Sequence, residues 1–152
     1  AWRRMWGGHG AVEELHGHNS NTLWREVANV APLLPDPEAI IWKLSVTPST
    51  GADVMAKALS AGGAGYYDWA GGLLWLARPG SEKGGEDGGA ALVRGAFGGD
   101  GHATLMRGPA ELRAKVDVFQ PSAPALAALS ARIKDSFDPH GILNPGRMHG
   151  AY

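Results

Sequence analysis

Hydrophobic and polar side chains alternate along residues 39–47, which is the pattern of a β-strand with one buried face. The apolar set consists of Ile40, Trp42, Leu44 and Val46. Most of these side chains are β-branched or aromatic, and such residues favour an extended backbone. Lys43 falls on the opposite face, so we expect its ammonium to lie on the side of the sheet away from the core.

Residues 65–70 and 73–78 are predicted to pair as a hairpin around Gly71-Gly72. Two glycines suit a two-residue turn that needs positive φ, and this turn places residue 70 opposite residue 73. One face then carries Tyr67, Trp69, Leu74 and Leu76, and the other carries Tyr66, Asp68, Leu73 and Trp75. Because both faces are rich in aromatic side chains, we expect the second to be partly covered by another element or by a partner.

Helical spacing and capping residues predict five helices and a fourth strand. The helices cover about residues 22–29, 50–61, 88–97, 109–115 and 122–136, and the strand covers residues 102–107. Asn21, Asp87 and Ser122 are candidate N-caps, and Thr50 with Asp53 resembles a capping box. In the last helix the apolar residues recur at steps of three and four, which predicts a buried stripe of Leu126, Leu129, Ile133 and Phe137.

The order strand, helix, strand, strand, helix, strand is that of the split βαβ units in a ferredoxin-like plait. We therefore predict an α+β fold in which a four-stranded antiparallel sheet carries two helices on one face. A further C-terminal helix and an ordered tail lie outside this repeat. Residues 1–21 show little periodicity and are predicted to be a weakly structured N-terminal segment, which leaves residues 22–152 as one domain.

Composition narrows the classes of function. The net charge is −1 without a basic surplus, which argues against binding to nucleic acid or to an anionic membrane surface. The chain has no cysteine, so disulfides, thiolate metal sites and thiol catalysis are excluded, and a cytoplasmic location is the expectation. No apolar run approaches the roughly 20 residues of a membrane span.

The C-terminal residues combine two turn sequences with an apolar pair. Asp-Pro-His-Gly at 138–141 and Asn-Pro-Gly at 144–146 bracket Ile142 and Leu143. Proline fixes φ and stops a helix arriving from upstream, and glycine permits the positive φ that such turns use. A free terminus usually frays, so a terminus this constrained is predicted to be docked against something.

The string Phe-Asp-Pro-His-Gly-Ile-Leu-Asn-Pro-Gly-Arg at 137–147 resembles the C-terminal motif of FAD-linked oxidases of the vanillyl-alcohol oxidase type. It is most similar to the FAD-binding E-subunit family of bacterial glycolate oxidases. Five further segments resemble the C-terminal half of that family: residues 23–26, 41–46, 67–72, 101–105 and 118–121. The resemblance runs from about residue 22 to residue 150.

This resemblance implies a substrate-side cap domain that covers a flavin and shapes the pocket in which glycolate is oxidised to glyoxylate. It implies FAD as cofactor, bound mainly by a flavin-binding domain that precedes these residues in the family, so we expect no FAD on this chain alone and no activity in isolation. The implied partners are that flavin-binding domain, other flavin and iron–sulfur subunits of the oxidase, and a small 2-hydroxy acid. The complex could associate with a membrane. The alternative is a catalytically silent module that docks subunits.

Four residues are the candidates for the site. Lys43 could meet a substrate carboxylate or the electron-rich end of a flavin, or simply face solvent. His102 could transfer a proton, because its ordinary pKa is near neutrality, or be a structural histidine. Asn144 and Arg147 in the tail could bond the flavin-binding domain or a cofactor phosphate, or act as a latch between domains.

No metal is expected. His16 and His18, with His9 nearby, have a spacing that can place two rings on one side of a strand, but no thiolate or carboxylate-rich pattern completes a site. A solvated loop is the simpler interpretation. The Gly-rich run at 98–102 lacks the Lys-Ser/Thr of a phosphate loop and is predicted to be a helix stop and turn.

Overall fold

The computed structural model describes residues 13–80 and 85–147. The chain divides into two compact units, residues 1–32 and 33–152. The first contains helix α1, Gly17–Ala28, which begins five residues before the predicted start at residue 22. The turn starts early because the Asn19 amide bonds the His16 carbonyl, so Asn21 lies inside the helix and is not its cap. Residues 17–21 are therefore helical, and the rest of the predicted weak segment before residue 13 lies outside the described residues.

The second unit contains a four-stranded sheet, as predicted. Its strands are β1 (Ile40–Val46), β2 (Ala64–Asp68), β3 (Leu73–Arg78) and β4 (Gly101–Arg107). They lie in the order β2-β3-β1-β4, and every neighbouring pair is antiparallel. Helix α2 (Gly51–Ala58) follows β1 and helix α3 (Ala90–Gly95) precedes β4. This arrangement confirms the α+β fold and is that of a ferredoxin-like plait.

The core lies between the sheet and these two helices. β1 and β3 contribute the fully buried side chains of Trp42, Leu44, Leu74 and Leu76, and the helices contribute Val54, Met55 and Val93. The predicted apolar face of β1 is therefore the core face. The indole Nε1 of Trp42 donates a hydrogen bond to the Gly88 carbonyl oxygen at 3.1 Å, which satisfies the polar atom of this buried ring.

The hairpin has a longer loop than predicted. Asp68 pairs with Leu73 and Tyr67 with Leu74, so residues 69–72 form the connection. Trp69 and Ala70 adopt positive φ values of 49° and 53° in a 3-10 turn, and the Asp68 carboxylate accepts the Trp69 amide at 2.8 Å. This local side-chain bond favours a wider turn over the two-glycine turn. Because the register moves by two residues, each strand residue keeps its predicted face.

Besides Asn21, two more of the predicted helix caps are wrong. The Thr50 hydroxyl donates to the Thr47 carbonyl within a 3-10 turn, Pro48–Thr50, so it does not accept from α2. The last helix starts at Pro124 with no side-chain cap, so Ser122 lies outside it. Asp87 does cap α3, because its carboxylate accepts the amides of Gly89 and Ala91.

The described residues of the second unit also form two further helices, α4 (Ala110–Lys115) and α5 (Pro124–Phe137). The predicted burial of the α5 stripe is wrong, because no residue of α5 is buried and Phe137 is 82% exposed. The tail does not dock against the described residues, since Ile142 is 74% exposed, and its docking against a partner stays a prediction. Helical spacing identifies an apolar face, but it does not supply the surface that covers it.

Candidate functional site

A row of four side chains crosses the sheet on the face opposite the core. The register pairs Tyr66 with Trp75, Trp75 with Lys43, and Lys43 with Thr104. The next row consists of Asp68, Leu73, Ser45 and His102. We call these two rows the polar face. Its residues range from the buried Leu73 to the exposed His102, so this side of the sheet is partly covered, as expected.

Lys43 lies at the centre of the polar face. Its ammonium is 5.7 Å from the centroid of the Trp75 ring on the neighbouring strand, within the range of a cation–π contact. The side chain is half-buried, and the described residues offer it no carboxylate within ion-pair distance. The aromatic contact fixes the position of a positive charge that is left available to an anion.

His102 lies beside Lys43 on the adjacent strand. Lys43 faces Thr104 and Ser45 faces His102, so Lys43 and His102 are diagonal neighbours on the same side of the sheet. Diagonal neighbours of this kind are about 7–8 Å apart, which a small molecule with two polar ends can bridge. The structure thus brings together the two residues predicted to act on a substrate.

Asp68 and Tyr66 occupy the far edge of the polar face. Burial raises the pKa of the Tyr66 hydroxyl, and the nearby Asp68 carboxylate raises it further. Asp68 lies on β2 and His102 on β4, three strand spacings apart, or roughly 14 Å. Asp68 therefore caps its own loop and cannot orient the imidazole of His102.

Arg94 ties residues 117–119 to the plait, and no pattern in the sequence predicted this role. Its guanidinium lies 5.5 Å from the centroid of the buried Trp42 ring and donates to the carbonyl oxygens of Asp117 and Phe119. Desolvation lowers the pKa of Arg94. The Leu105 amide of β4 also donates to the Val118 carbonyl at 2.8 Å. The chain leaving the plait toward α5 is thus held by both side-chain and backbone bonds.

The start of the tail is organised around the Asp138 carboxylate. It accepts the Lys134 ammonium at 2.6 Å, the Leu143 amide at 2.9 Å and the Ile142 amide at 3.0 Å. These three donors, with Lys134 the strongest, hold the pKa of the Asp138 carboxyl below its usual range. The carboxylate therefore stays ionised at neutral pH and keeps all three bonds.

Asn144 and Arg147 lie in the exposed tail beyond this point. Asn144 has a φ of 47° and its carbonyl accepts the Arg147 amide at 3.2 Å, which closes the Asn-Pro-Gly turn. The hydrogen bonds and ion pairs of the described residues join neither residue to Lys43 or His102. The four predicted site residues therefore form two groups, one on the polar face and one in the tail.

The histidine cluster and the helical side of the plait offer no comparable chemistry. His16 Nε2 lies 3.4 Å from a Glu14 oxygen, and both side chains are exposed. In the described residues no three His, Cys, Asp or Glu side chains come together, and His9 lies outside that part of the chain. A depression of about 350 Å³ lined by α2 and α3 is mostly apolar, with Lys57 as its single charge.

Neither residues 13–80 nor residues 85–147 contain a helix that is long and apolar enough to cross a bilayer.

A comparison with protein families gave a match in the C-terminal part of the chain. Residues 117–148 match the family described as FAD linked oxidases, C-terminal domain. The match begins at the segment held by Arg94 and continues through α5 and the tail. It supports a likeness of this part of the chain to the C-terminal domain of FAD-linked oxidases. No curated protein and no solved structure gave a significant match.

Proposed function

We propose that this chain is the cap domain, at residues 22–152, of an FAD-dependent 2-hydroxy-acid oxidase of the glycolate oxidase type. The observation that carries this proposal is the family match over residues 117–148, which falls on the helix and tail whose apolar side chains are exposed. An exposed apolar stripe of this extent is typical of a contact surface. The flavin-binding domain of the same oxidase is its proposed partner.

The polar face of the sheet is the proposed wall of the substrate pocket. It presents an aromatic ring, Trp75, with the cation of Lys43 above it and two further polar side chains, Thr104 and His102, on β4. This set fits the planar, electron-rich ring end of a flavin and a small anionic substrate. The described residues contain no glycine-rich phosphate loop, so the dinucleotide end would be bound by the flavin-binding domain.

FAD, when bound, supplies the hydride acceptor for this reaction. Lys43 would bind the carboxylate of the 2-hydroxy acid through charge and a hydrogen bond. His102 would take the proton of the substrate hydroxyl, which leaves the carbon–oxygen bond free to become a carbonyl. The substrate thus loses one hydride and one proton, as the change from glycolate to glyoxylate requires. The sheet itself would exclude water from the pocket.

In the tail, Asn144 and Arg147 would bond the flavin-binding domain or a phosphate of the cofactor. Both side chains are exposed, and the charge of Arg147 lies next to the Asn-Pro-Gly turn. On the strength of the family resemblance we also propose a cytoplasmic complex with further flavin and iron–sulfur subunits, which could bring the protein to a membrane.

A second candidate function is a catalytically silent docking module. The exposed stripe of α5 favours it, because that surface would serve assembly equally well without any contribution from the polar face. The two functions differ in what Lys43 and His102 do. Only the cap function requires them for turnover.

The experiment uses the protein expressed from its natural start codon. Its absorption spectrum tests for bound flavin, and anaerobic bleaching by glycolate and by lactate tests the substrate class. Lys43→Met and His102→Asn are then compared with Lys115→Met and His18→Asn, which change exposed residues outside the polar face. We expect the first pair to retain flavin and to lose its reduction by substrate.

Two outcomes of this experiment would decide against the cap function. A preparation without flavin absorption would remove its basis. Normal flavin reduction in the Lys43→Met and His102→Asn variants would leave assembly as the role of the domain.

A further inference from the structure

Asp138 is the one buried residue in residues 124–147, and it is an acid. Every large apolar side chain of this stretch is exposed, whereas the Asp138 side chain is 5% exposed. Burial of a charge is costly unless it is paired and hydrogen-bonded. A carboxylate that is enclosed while its apolar neighbours are not therefore has a specific task in this segment.

The bonds of Asp138 show what that task is. Its two oxygens accept amides four and five residues further along the chain, at Ile142 and Leu143, and one oxygen also accepts the Lys134 ammonium. Its own carbonyl accepts the Gly141 amide at 3.0 Å. Through these bonds one residue closes the turn after α5 and returns the chain toward the end of the helix.

Lys134 fastens the same turn from the helix side. It lies one turn before Asp138, and its ammonium also reaches the Leu143 carbonyl oxygen at 3.4 Å. The backbone of the apolar pair Ile142-Leu143 is thereby held at the C-terminal end of α5. A segment ordered in advance loses less conformational entropy on binding than a free tail does.

We propose that Asp138 is a positioning residue that pre-organises the tail, so that Ile142 and Leu143 extend the apolar stripe of α5 as one docking surface for the flavin-binding domain. The choice of this occupant rests on the proposed function, since the family match to FAD-linked oxidases covers this surface. The fixed turn itself is a property of this chain and does not depend on a partner.

Amide hydrogen exchange on the 152-residue chain tests the turn by itself. Asp138→Ala removes both acceptors, so the Ile142 and Leu143 amides should each exchange roughly tenfold faster or more. Asp138→Asn retains one acceptor oxygen and should leave only one of the two amides protected. Lys134→Met removes the ion pair and should accelerate the exchange of both amides by a smaller factor.

Asp135→Asn is the matched control, because it removes one negative charge from an exposed position of the same helix. It should leave the exchange rates of the Ile142 and Leu143 amides as they are in the unchanged chain. The exchange rates of the β1 and β3 amides should be the same in every variant. Equal exchange at residues 142 and 143 in Asp138→Ala and in the unchanged chain would overturn the proposal. So would an equal acceleration by Asp135→Asn.

The docking role has a separate readout in the protein expressed from its natural start codon. Asp138→Ala should speed the dissociation of FAD relative to the unchanged protein and to Asp135→Asn. Faster amide exchange without any change in FAD dissociation would overturn the docking role alone. Absence of flavin from the unchanged protein would overturn the proposed function, and the exchange measurement would still decide whether Asp138 organises the tail.

Discussion

Lys43 and Trp75 face each other across β1 and β3, with the Lys43 ammonium 5.7 Å from the centre of the indole ring. A lysine in mid-strand would otherwise bend toward water, since its stem is flexible and its charge is strongly hydrated. The ring instead keeps the charge over the sheet, at the diagonal position to His102. The polar face thus has a fixed cation next to a titratable group.

The first prediction is that this contact contributes little to stability. Lys43→Met should lower the free energy of unfolding by at most about 1 kcal/mol, because the side chain is half-buried and its cation–π contact is partly solvated. Urea denaturation of the two proteins measures the difference, with the exposed Lys115→Met as control. A much larger loss would show that Lys43 is a structural residue of the sheet and would weaken its assignment to substrate binding.

A second prediction compares two tryptophans. Trp42 is fully buried and bonded to the Gly88 carbonyl, whereas Trp69 is 70% exposed in the hairpin loop. Trp42→Ala should therefore cost about 3–5 kcal/mol of unfolding free energy, and Trp69→Ala should change it by less than about 0.5 kcal/mol. Thermal or urea unfolding followed by circular dichroism gives both values. Similar values for the two variants would contradict the placement of the core.

A third prediction concerns two glycines that share a conformation and differ in their surroundings. Gly89 has a φ of 79°, and a Cβ there would collide with the side chain of the buried Arg78. Gly98 has a φ of 62° with nothing within 4 Å of such a Cβ. Gly98→Ala should lower the free energy of unfolding by about 1–2 kcal/mol because of the positive φ alone. Gly89→Ala should lower it by about 1–3 kcal/mol more, because of the collision with Arg78.

The difference between these two variants isolates the crowding around Arg78. That guanidinium donates to the Ala58 and Gly62 carbonyls at 3.0 and 3.3 Å, so it has little freedom to move away. Equal destabilisation of the two variants, measured by urea denaturation, would mean that Arg78 can retract without cost.

The sheet was predictable from the sequence because strand periodicity is a local property. Alternation gave the faces of β1 correctly, and it still gave the faces of the hairpin although the register was wrong by two residues. The loop was not predictable from Gly71-Gly72, because the outcome depended on the Asp68 side chain bonding the Trp69 amide. Propensities of single residues do not account for a side chain that bonds a neighbouring backbone amide.

The candidate site was predictable only in part. Lys43 and His102 came together because both lie on the same face of neighbouring strands, which follows from the predicted fold. Arg94 and Asp138 were missed, because most of their hydrogen-bond partners are backbone groups that the sequence cannot place. The stripe of α5 was identified correctly and its burial was not, since spacing within a helix contains no information on its neighbours.

A fourth prediction follows from the pKa of Asp87. Backbone hydrogen bonds, the Ala91 amide first, hold the pKa of this carboxyl below its usual value of 3.8. Asp87 then stabilises the fold fully above that usual value, and this contribution is lost as the pH falls through the lower pKa of the folded state. The stability of the unchanged chain should therefore fall more steeply in acid than that of Asp87→Asn.

Urea midpoints measured from about pH 6 down to about pH 3 test this dependence. The difference in urea midpoint between the unchanged chain and Asp87→Asn should narrow as the pH falls. A gap that stays constant with pH would mean that the charge of Asp87 contributes nothing to the cap of α3.

The last prediction tests whether the stripe of α5 is free of the plait in solution. Leu129 and Ile133 are each about half exposed, so Leu129→Gln and Ile133→Gln should change the unfolding free energy by less than about 0.5 kcal/mol. Glutamine retains the helix propensity of α5, so only the apolar surface changes. Leu74→Ala, which removes a fully buried side chain from β3, should cost about 2–5 kcal/mol.

The same two glutamine variants should bind less of a dye that reports exposed apolar surface, because the stripe is the surface such a dye would occupy. Destabilisation of either variant to the extent of Leu74→Ala would mean that α5 packs against the plait or against a second copy of the chain. A stripe already covered in that way would not be available to a flavin-binding domain, and its proposed docking role would fail with it.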